Sequence, residues 1–208
     1  TLDDLTRELA QLVNEGVVEA NLIAQDSTGW GRDLGVSDGL PALVRAFDQA
    51  YSAPDWIRIH YLYPGRISDA LLDALANTRR FVEYIDLPLQ HAHPSVLRRM
   101  KRPGNAETYR RHFEQLQRAL PAAGIRSGFI VGFPGETEEE FQTLTDFVAE
   151  APLDAAGVFT YSHEESIGAF ALIDDVPVEV KLERKQILEE LVSDVAYSRA
   201  QRRVGTTL

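Results

Sequence analysis

The chain has 208 residues, a formal net charge of −11 and no cysteine. Its length suits one domain with a sizeable core. The lack of cysteine excludes disulfides and thiolate metal ligands within the chain. No apolar run approaches the ~20 residues that a membrane helix needs, and no targeting signal is visible, so we expect no membrane partner and a cytoplasmic location. The acidic charge disfavours tight non-specific binding to nucleic acid and favours a basic partner.

Apolar periodicity predicts helices that alternate with strands along the chain. In chain order, we predict a helix over 2–14, a strand over 17–25, a helix over 41–51, a strand over 56–64, a helix that begins after Ser68 and ends at Ala76, a strand over 81–90, helices over 94–100 and 106–123, a strand over 125–131, a helix capped by Thr137 and Glu140, a strand over 155–162 and a helix over 178–203. Strands separated by helices predict an α/β fold with parallel strands. A repeat of about 30 to 40 residues is typical of a full or partial parallel (β/α) barrel.

Polar and aromatic residues gather where the predicted strands end, which is the edge of such a barrel that carries its chemistry. They are Gln25, Asp26 and Ser27; His60, Tyr61 and Tyr63; Gln90, His91 and His93; Gly132, Phe133, Pro134 and Gly135; and Tyr161, Ser162, His163 and Glu164. This pattern predicts a functional site at one rim.

Several motifs at this rim carry weaker signals. His91 and His93 have strand spacing, but without a third ligand at a set spacing they favour rim hydrogen bonding over a metal site. The segment HEES, residues 163–166, offers adjacent carboxylates, for which a solvated loop is the simpler interpretation. No Gly-x-Ser-x-Gly supports a hydrolase triad. The basic run RRMKRPG, residues 98–104, stands out against the acidic background.

The segment GFIVGFPGE, residues 128–136, is the strongest signal. Gly128, Ile130 and Gly132 have period two and are predicted to share one face of a strand. Glycine there lets a flat ligand lie against the backbone, and exposed main-chain groups after Ile130 would bind an adenine edge. The glutamates at 136 and 138–140 suit the following helix dipole and would repel a phosphate, which favours a nucleoside. A plain tight βα turn remains the alternative.

The segment GFIVGFPGE resembles the adenine-binding strand of the radical S-adenosylmethionine superfamily. With it, the segments NLIAQDSTGWGRDL, YIDLPLQHAHPSVLRRMKR and GVFTYSHEE occur in the order seen in the methylthiotransferases of that superfamily. One branch modifies an adenosine of transfer RNA (MiaB type), and the other an aspartate of a small-subunit ribosomal protein (RimO type). The motifs AQDS, PLQH and YSHEE resemble the ribosomal-protein branch.

The resemblance implies roles for particular residues. Ile130, Gly132 and Phe133 would seat the adenine, and Arg126 and Gln90 would hold the ribose and the methionine carboxylate. The methionine end would face Gln25 and Asp26. The substrate side would hold Tyr161, His163 and Glu164. No catalytic residue and no metal ligand is implied within the chain.

Two departures from the family matter. The family binds its 4Fe-4S cluster with a Cys-x-x-x-Cys-x-x-Cys loop after the first strand, and this chain has no cysteine. We therefore expect residues 1–208 to form the core barrel with about five of six strands, without the cluster-bearing strand, the preceding domain and the trailing β-domain, and to be inactive alone. The second departure is Ser166-Ile167, where the family has Gly-Thr.

The cofactors implied are S-adenosylmethionine and, in the complete protein, 4Fe-4S clusters. The partners implied are a basic ribosomal protein as substrate and a reductant protein. Nucleic acid would be a partner only in the transfer RNA branch, which remains an alternative. Another alternative is a non-catalytic barrel that docks a basic protein. An aldolase-like barrel would need a lysine at a strand end, and Lys101, Lys181 and Lys185 lie elsewhere.

Overall fold

The structure is a computed structural model that describes residues 1–165 and 168–205. In chain order the elements are α1 Leu2–Asn14, β1 Glu19–Leu22, α2 Gly39–Gln49, β2 Trp56–Ile59, α3 Asp69–Ala76, β3 Tyr84–Gln90, α4 Pro94–Arg99, α5 Ala106–Ala119, β4 Gly124–Val131, α6 Glu138–Glu150, β5 Ala155–Thr160 and α7 Val178–Arg202. This alternation confirms the predicted α/β class. Across the described ranges, no helix combines the length and the apolar character needed to cross a membrane.

The strands are shorter than the sequence predicts. β1 ends at Leu22 rather than at residue 25, and β2 ends at Ile59 rather than at residue 64. The chain after each strand turns into a short 3-10 helix, at Ser27–Gly29 and Pro64–Arg66. The apolar and aromatic residues after β2 therefore belong to a turn and not to a strand.

The chain forms two compact units. The first contains Thr1–Leu87 and Gln115–Gly124. In it β1 and β2 pair in parallel, with Ala20 opposite Ile57, and Ile57 also forms a parallel bridge with Phe81. The core of this unit includes the fully buried Ile57 and Phe47.

The second unit contains Pro88–Glu114 and the described residues from Ile125 onward. In it β4 pairs in parallel with β5, with Phe129 opposite Val158. The final helix α7 packs against β5 and α6. Phe129, Phe147 and Leu188 are fully buried and form part of its core.

The alternation along β4 sets the two faces of the central strand. Residues at odd positions from 125 to 131 are buried, whereas Arg126, Gly128 and Ile130 are partly exposed. The predicted shared face is therefore confirmed for Gly128 and Ile130, whereas Gly132 lies after the end of β4 and is buried. After the turn that follows β4, α6 begins with the predicted capping box. The Glu140 N–H donates to Thr137 Oγ1 at 3.2 Å, and the Thr137 N–H donates to Glu140 Oε2 at 3.0 Å.

Candidate functional site

A cavity of about 690 Å³ lies in the second unit at the carboxyl ends of β3, β4 and β5. Gln90, Ile130, Phe133 and Tyr161 line it, so the fold brings four of the predicted site residues together. The segment 99–102 lines it as well. Its volume falls within the roughly 300 to 1,000 Å³ typical of small-molecule sites.

The wall of the cavity is mostly apolar. Phe133 and Tyr161 are buried, and their rings meet edge to face with centroids 5.0 Å apart. Met100 and Ile130 pack against this pair. Such a wall offers a contact surface for a flat ring and excludes water from it.

The two glycines of GFIVGFPGE differ in their surroundings. A Cβ added to Gly128 would meet no atom within 4 Å, so this face of β4 is open. Gly132 has φ +70°, and a Cβ there would lie 2.3 Å from Lys181 Cγ. The buried Gly132 N–H donates to both carboxylate oxygens of Glu136, each at 3.1 Å. It is therefore not the exposed donor that the sequence predicts.

Glu136 belongs to a buried ionic cluster. Its side chain has no solvent exposure, and Arg184 on α7 donates to Oε1 at 2.9 Å and to the Glu136 carbonyl at 3.0 Å. His91 Nε2 lies 3.5 Å from the same carboxylate. The prediction that Glu136 presents its charge at the helix N-terminus is therefore wrong, because α6 begins only at Glu138. Glu136 instead fixes the turn after β4.

Tyr161 has a buried ring and a hydroxyl within hydrogen-bond distance of His163 Nδ1, at 3.1 Å. Burial raises the pKa of the Tyr161 phenol, and the carboxylate of Asp174 raises it further. Lys181 Nζ lies 5.1 Å from the Tyr161 ring centroid and pairs with Asp174 at 2.6 Å. The phenol is therefore a neutral hydroxyl at physiological pH.

The predicted substrate-side residues after Tyr161 are exposed. His163 stacks on Phe170 with ring centroids 4.7 Å apart, and Glu164 accepts a hydrogen bond from Ser162 Oγ at 3.0 Å. The predicted departure at Ser166-Ile167 lies outside the described residues.

The basic segment after α4 is partly tied to its neighbours. Arg99 donates to both carboxylate oxygens of Glu140, at 2.7 and 3.1 Å. Burial acts to raise the pKa of Glu140, but the hydrogen bonds from Arg99 and the Thr137 N–H outweigh it and lower that pKa to about 2. Arg102 donates to the Pro88 carbonyl at 3.0 Å. This segment was noted in the sequence for its charge, but its place at the cavity was not predicted.

The two histidines of QHAHP have different roles. His91 is fully buried, and its Nδ1 accepts from the His93 N–H at 3.0 Å. His93 caps α4 by accepting from the Ser95 N–H at 3.2 Å. His91 directly follows the end of β3 and makes a hydrogen bond there, as predicted, but its complete burial was not predicted. Among the described residues, no group of three or more His, Cys, Asp or Glu could hold a metal ion.

Three of the predicted cofactor-binding residues do not line the cavity. Gln25 and Asp26 follow β1 in the first unit, where Gln25 is exposed and Asp26 accepts hydrogen bonds from Arg66 and Thr28. Arg126 shares the partly exposed face of β4 with Ile130 but lies nearer the start of the strand. Their roles stay predictions. Lys181 and Arg184 were missed, because no local pattern in α7 shows that they pack on the turn after β4.

Comparison with known proteins gives a match to the family model of the Radical SAM superfamily over residues 1–148. "Ribosomal protein uS12 methylthiotransferase RimO" of Synechococcus sp. (strain JA-3-3Ab) is 44% identical over 204 residues, which cover 98% of this chain and 44% of that protein. The protein of the same name from Chloroflexus aurantiacus is 43% identical over 201 residues, covering 97% of this chain and 44% of that protein. The chain spans less than half the length of these relatives.

Among solved structures, coproporphyrinogen III oxidase (HemN) from Escherichia coli, described as a radical SAM enzyme, matches with a TM-score of 0.70. The match covers 93% of this chain and 46% of that chain at 18% identity. At this identity the likeness shows the fold alone. It confirms the predicted partial parallel (β/α) barrel of radical SAM type.

Proposed function

Because this chain belongs to the radical SAM superfamily, we propose that it is the core of a methylthiotransferase that modifies the β-carbon of an aspartate in ribosomal protein uS12. The observation that carries the proposal is the identity with the RimO relatives along nearly the whole chain. The motifs AQDS, PLQH and YSHEE support the same branch. We expect the complete protein to work in the cytoplasm.

The residues at the cavity fit S-adenosylmethionine. The adenine lies along the open face of β4 at Gly128 and Ile130, and against Phe133 at the strand's end. Gly132 contributes by shaping the turn, since its N–H is held by Glu136. The apolar wall around Phe133 and Tyr161 keeps water away from the bound base.

The methionine end of the cofactor carries a carboxylate, which a guanidinium binds well in bidentate fashion. Arg102 and Gln90 line the cavity, and we assign them to the methionine carboxylate. Arg126 lies further from the strand's end, and we assign it to the ribose side. Gln25 and Asp26 remain candidates for the methionine end from the first unit.

The chain does not fit an iron–sulfur cluster. It has no cysteine, and the ranges 1–165 and 168–205 hold no alternative group of metal ligands. Thiolate ligands must therefore come from outside these 208 residues. When bound, one S-adenosylmethionine molecule would supply the radical that removes a hydrogen from the aspartate β-carbon, and a second would supply the methyl group for a sulfur atom that comes from a cluster outside this chain. The residues of this chain hold the cofactor and exclude water.

The residues after β5 are our candidates for contact with the substrate. We assign the substrate side to the Tyr161 hydroxyl, which is neutral at physiological pH, and to the exposed His163 and Glu164 that follow it. A basic ribosomal protein suits the net charge of −11. A reductant protein is the second partner we expect, since the superfamily's radical chemistry needs an electron.

The test uses the complete protein that carries this chain. It is reconstituted anaerobically with iron and sulfide, then given reductant, S-adenosylmethionine and uS12, with this 208-residue chain as the control. We expect 5′-deoxyadenosine and methylthiolated uS12 from the complete protein only. Modified transfer RNA with untouched uS12 would place the protein in the other branch. A complete protein that binds no iron and yields no 5′-deoxyadenosine would favour the non-catalytic docking barrel.

A further inference from the structure

The cavity has a cationic side chain that the fold itself does not use. Arg99 is paired with Glu140, and Arg102 donates to the Pro88 carbonyl. Lys101 also lines the cavity and is exposed, and its ammonium makes no ion pair or hydrogen bond with any residue that the structure describes. Lys101 belongs to the basic run of residues 98–104, in a chain whose formal net charge is −11.

The backbone places Lys101 at the mouth of the cavity. Lys101 follows α4 with φ +55°, an uncommon conformation for a residue with a side chain. The turn is closed by the Lys101 N–H, which donates to the Arg98 carbonyl at 3.0 Å, and by the Arg102 N–H, which donates to the Leu97 carbonyl at 2.8 Å. The Lys101 ammonium lies 3.8 Å from where a Cβ on Gly168 would be, so it reaches across to the opposite wall.

Three acidic groups around the cavity are already paired with other cations. The pairs are Glu140 with Arg99, Glu136 with Arg184, and Asp174 with Lys181. The remaining wall near Lys101 is apolar and includes Met100, Ile130 and Phe159. An incoming carboxylate would therefore meet one unpaired ammonium beside an apolar wall. The exposed Glu164, which accepts from Ser162, carries a charge that the three cations above do not neutralise.

We propose that Lys101 binds the side-chain carboxylate of the substrate residue and thereby selects aspartate over asparagine. This inference rests on the proposed function, because it takes the acidic substrate from there. A neutral amide would occupy the same space, and its oxygen would still accept a hydrogen bond from the ammonium, but it would forfeit the attraction between opposite charges. The carboxylate of the cofactor has the same chemistry, and the experiment separates the two sources.

The experiment compares Lys101→Gln with Arg98→Gln in the complete, reconstituted protein. Arg98 is a matched control because it is an exposed cation on α4 that does not line the cavity. The readouts are kcat and KM for a uS12 peptide with the target aspartate, inhibition by the same peptide with asparagine, and 5′-deoxyadenosine formed without peptide.

We expect Lys101→Gln to raise KM for the aspartate peptide on the order of tenfold, as loss of about 1.4 kcal/mol implies. It should bring the affinities of the two peptides together and leave peptide-independent 5′-deoxyadenosine unchanged. Arg98→Gln should leave the KM for the aspartate peptide and the formation of 5′-deoxyadenosine unchanged. Lys101→Arg should keep most of the preference for the aspartate peptide over the asparagine peptide.

An unchanged KM in Lys101→Gln would overturn the inference. So would loss of peptide-independent 5′-deoxyadenosine, which would assign the ammonium to the cofactor's carboxylate. If the wild-type protein forms no 5′-deoxyadenosine, the proposed function fails. Direct titration of the two peptides would then still decide whether Lys101 distinguishes a carboxylate from an amide.

Discussion

The turns after β4 and β1 are each held by a carboxylate, but one carboxylate is buried and the other is near the surface. Glu136 is fully buried and pairs with Arg184, whose side chain is 7% exposed. Asp26 and its partner Arg66 keep 27% and 38% of their side-chain surface exposed. The same kind of ion pair therefore makes a rigid turn in the second unit and an adjustable one in the first.

The physical difference is the cost of desolvation. Removing one partner of a buried pair leaves an uncompensated charge, which destabilises by about 3–5 kcal/mol. An exposed pair contributes roughly 0–1 kcal/mol and is screened by salt. In the turn after β4, the Gly132 N–H also donates to the Glu136 carboxylate. The backbone geometry of this turn therefore depends on the charge of Glu136.

The largest loss of stability is expected from Arg184→Met. It should lower the free energy of unfolding by about 3–5 kcal/mol, because the Glu136 carboxylate stays buried without its cation. Chemical denaturation measures the change. Glu136→Gln in the same chain should recover part of the loss. Arg110→Met breaks the exposed pair with Glu150 and is the control. An equal loss in both single variants would remove the contrast between buried and exposed pairs.

A smaller effect is expected from Gly132→Ala, at about 2–4 kcal/mol, because a left-handed backbone and an overlap with Lys181 act together. Gly128→Ala is the matched change on the same strand. It meets open space, so the stability of the chain should stay nearly constant, while binding of S-adenosylmethionine by the complete protein should weaken. Unchanged binding in Gly128→Ala would contradict the adenine position proposed here.

The smallest effect is expected from Asp26→Asn, which removes the charge that pairs with Arg66. We expect a loss below about 1 kcal/mol at low salt, vanishing near 1 M salt where charges are screened within about 3 Å. Urea unfolding at two ionic strengths measures it. A salt-independent loss of several kcal/mol would show that this turn is as tightly held as the one after β4.

Local patterns in the sequence predicted the features that depend on near neighbours. The capping box of Thr137 and Glu140 involves residues three positions apart, and both of its hydrogen bonds are present. The period-two spacing of Gly128 and Ile130 gave their common face correctly. These features follow from backbone geometry alone, so no tertiary information was needed.

Features that depend on distant residues could not be predicted in this way. Glu136 looked like one more acid of a helix N-terminus, because Arg184 lies 48 residues further along the chain. The complete burial of His91 could not be predicted for a similar reason, since it depends on the packing of the second unit. Burial converts the same side chain from a solvated charge into a structural one, and sequence spacing does not reveal burial.

The contact between Gly132 and Lys181 also constrains how this family of sequences can change. The aliphatic stem of Lys181 occupies the space that a side chain at position 132 would need. A smaller residue at position 181 would therefore relieve the overlap with a larger residue at 132, although not the strain of φ +70°, and it would cost the ion pair with Asp174. The two positions form an epistatic pair, in which the order of substitutions matters as much as their identity.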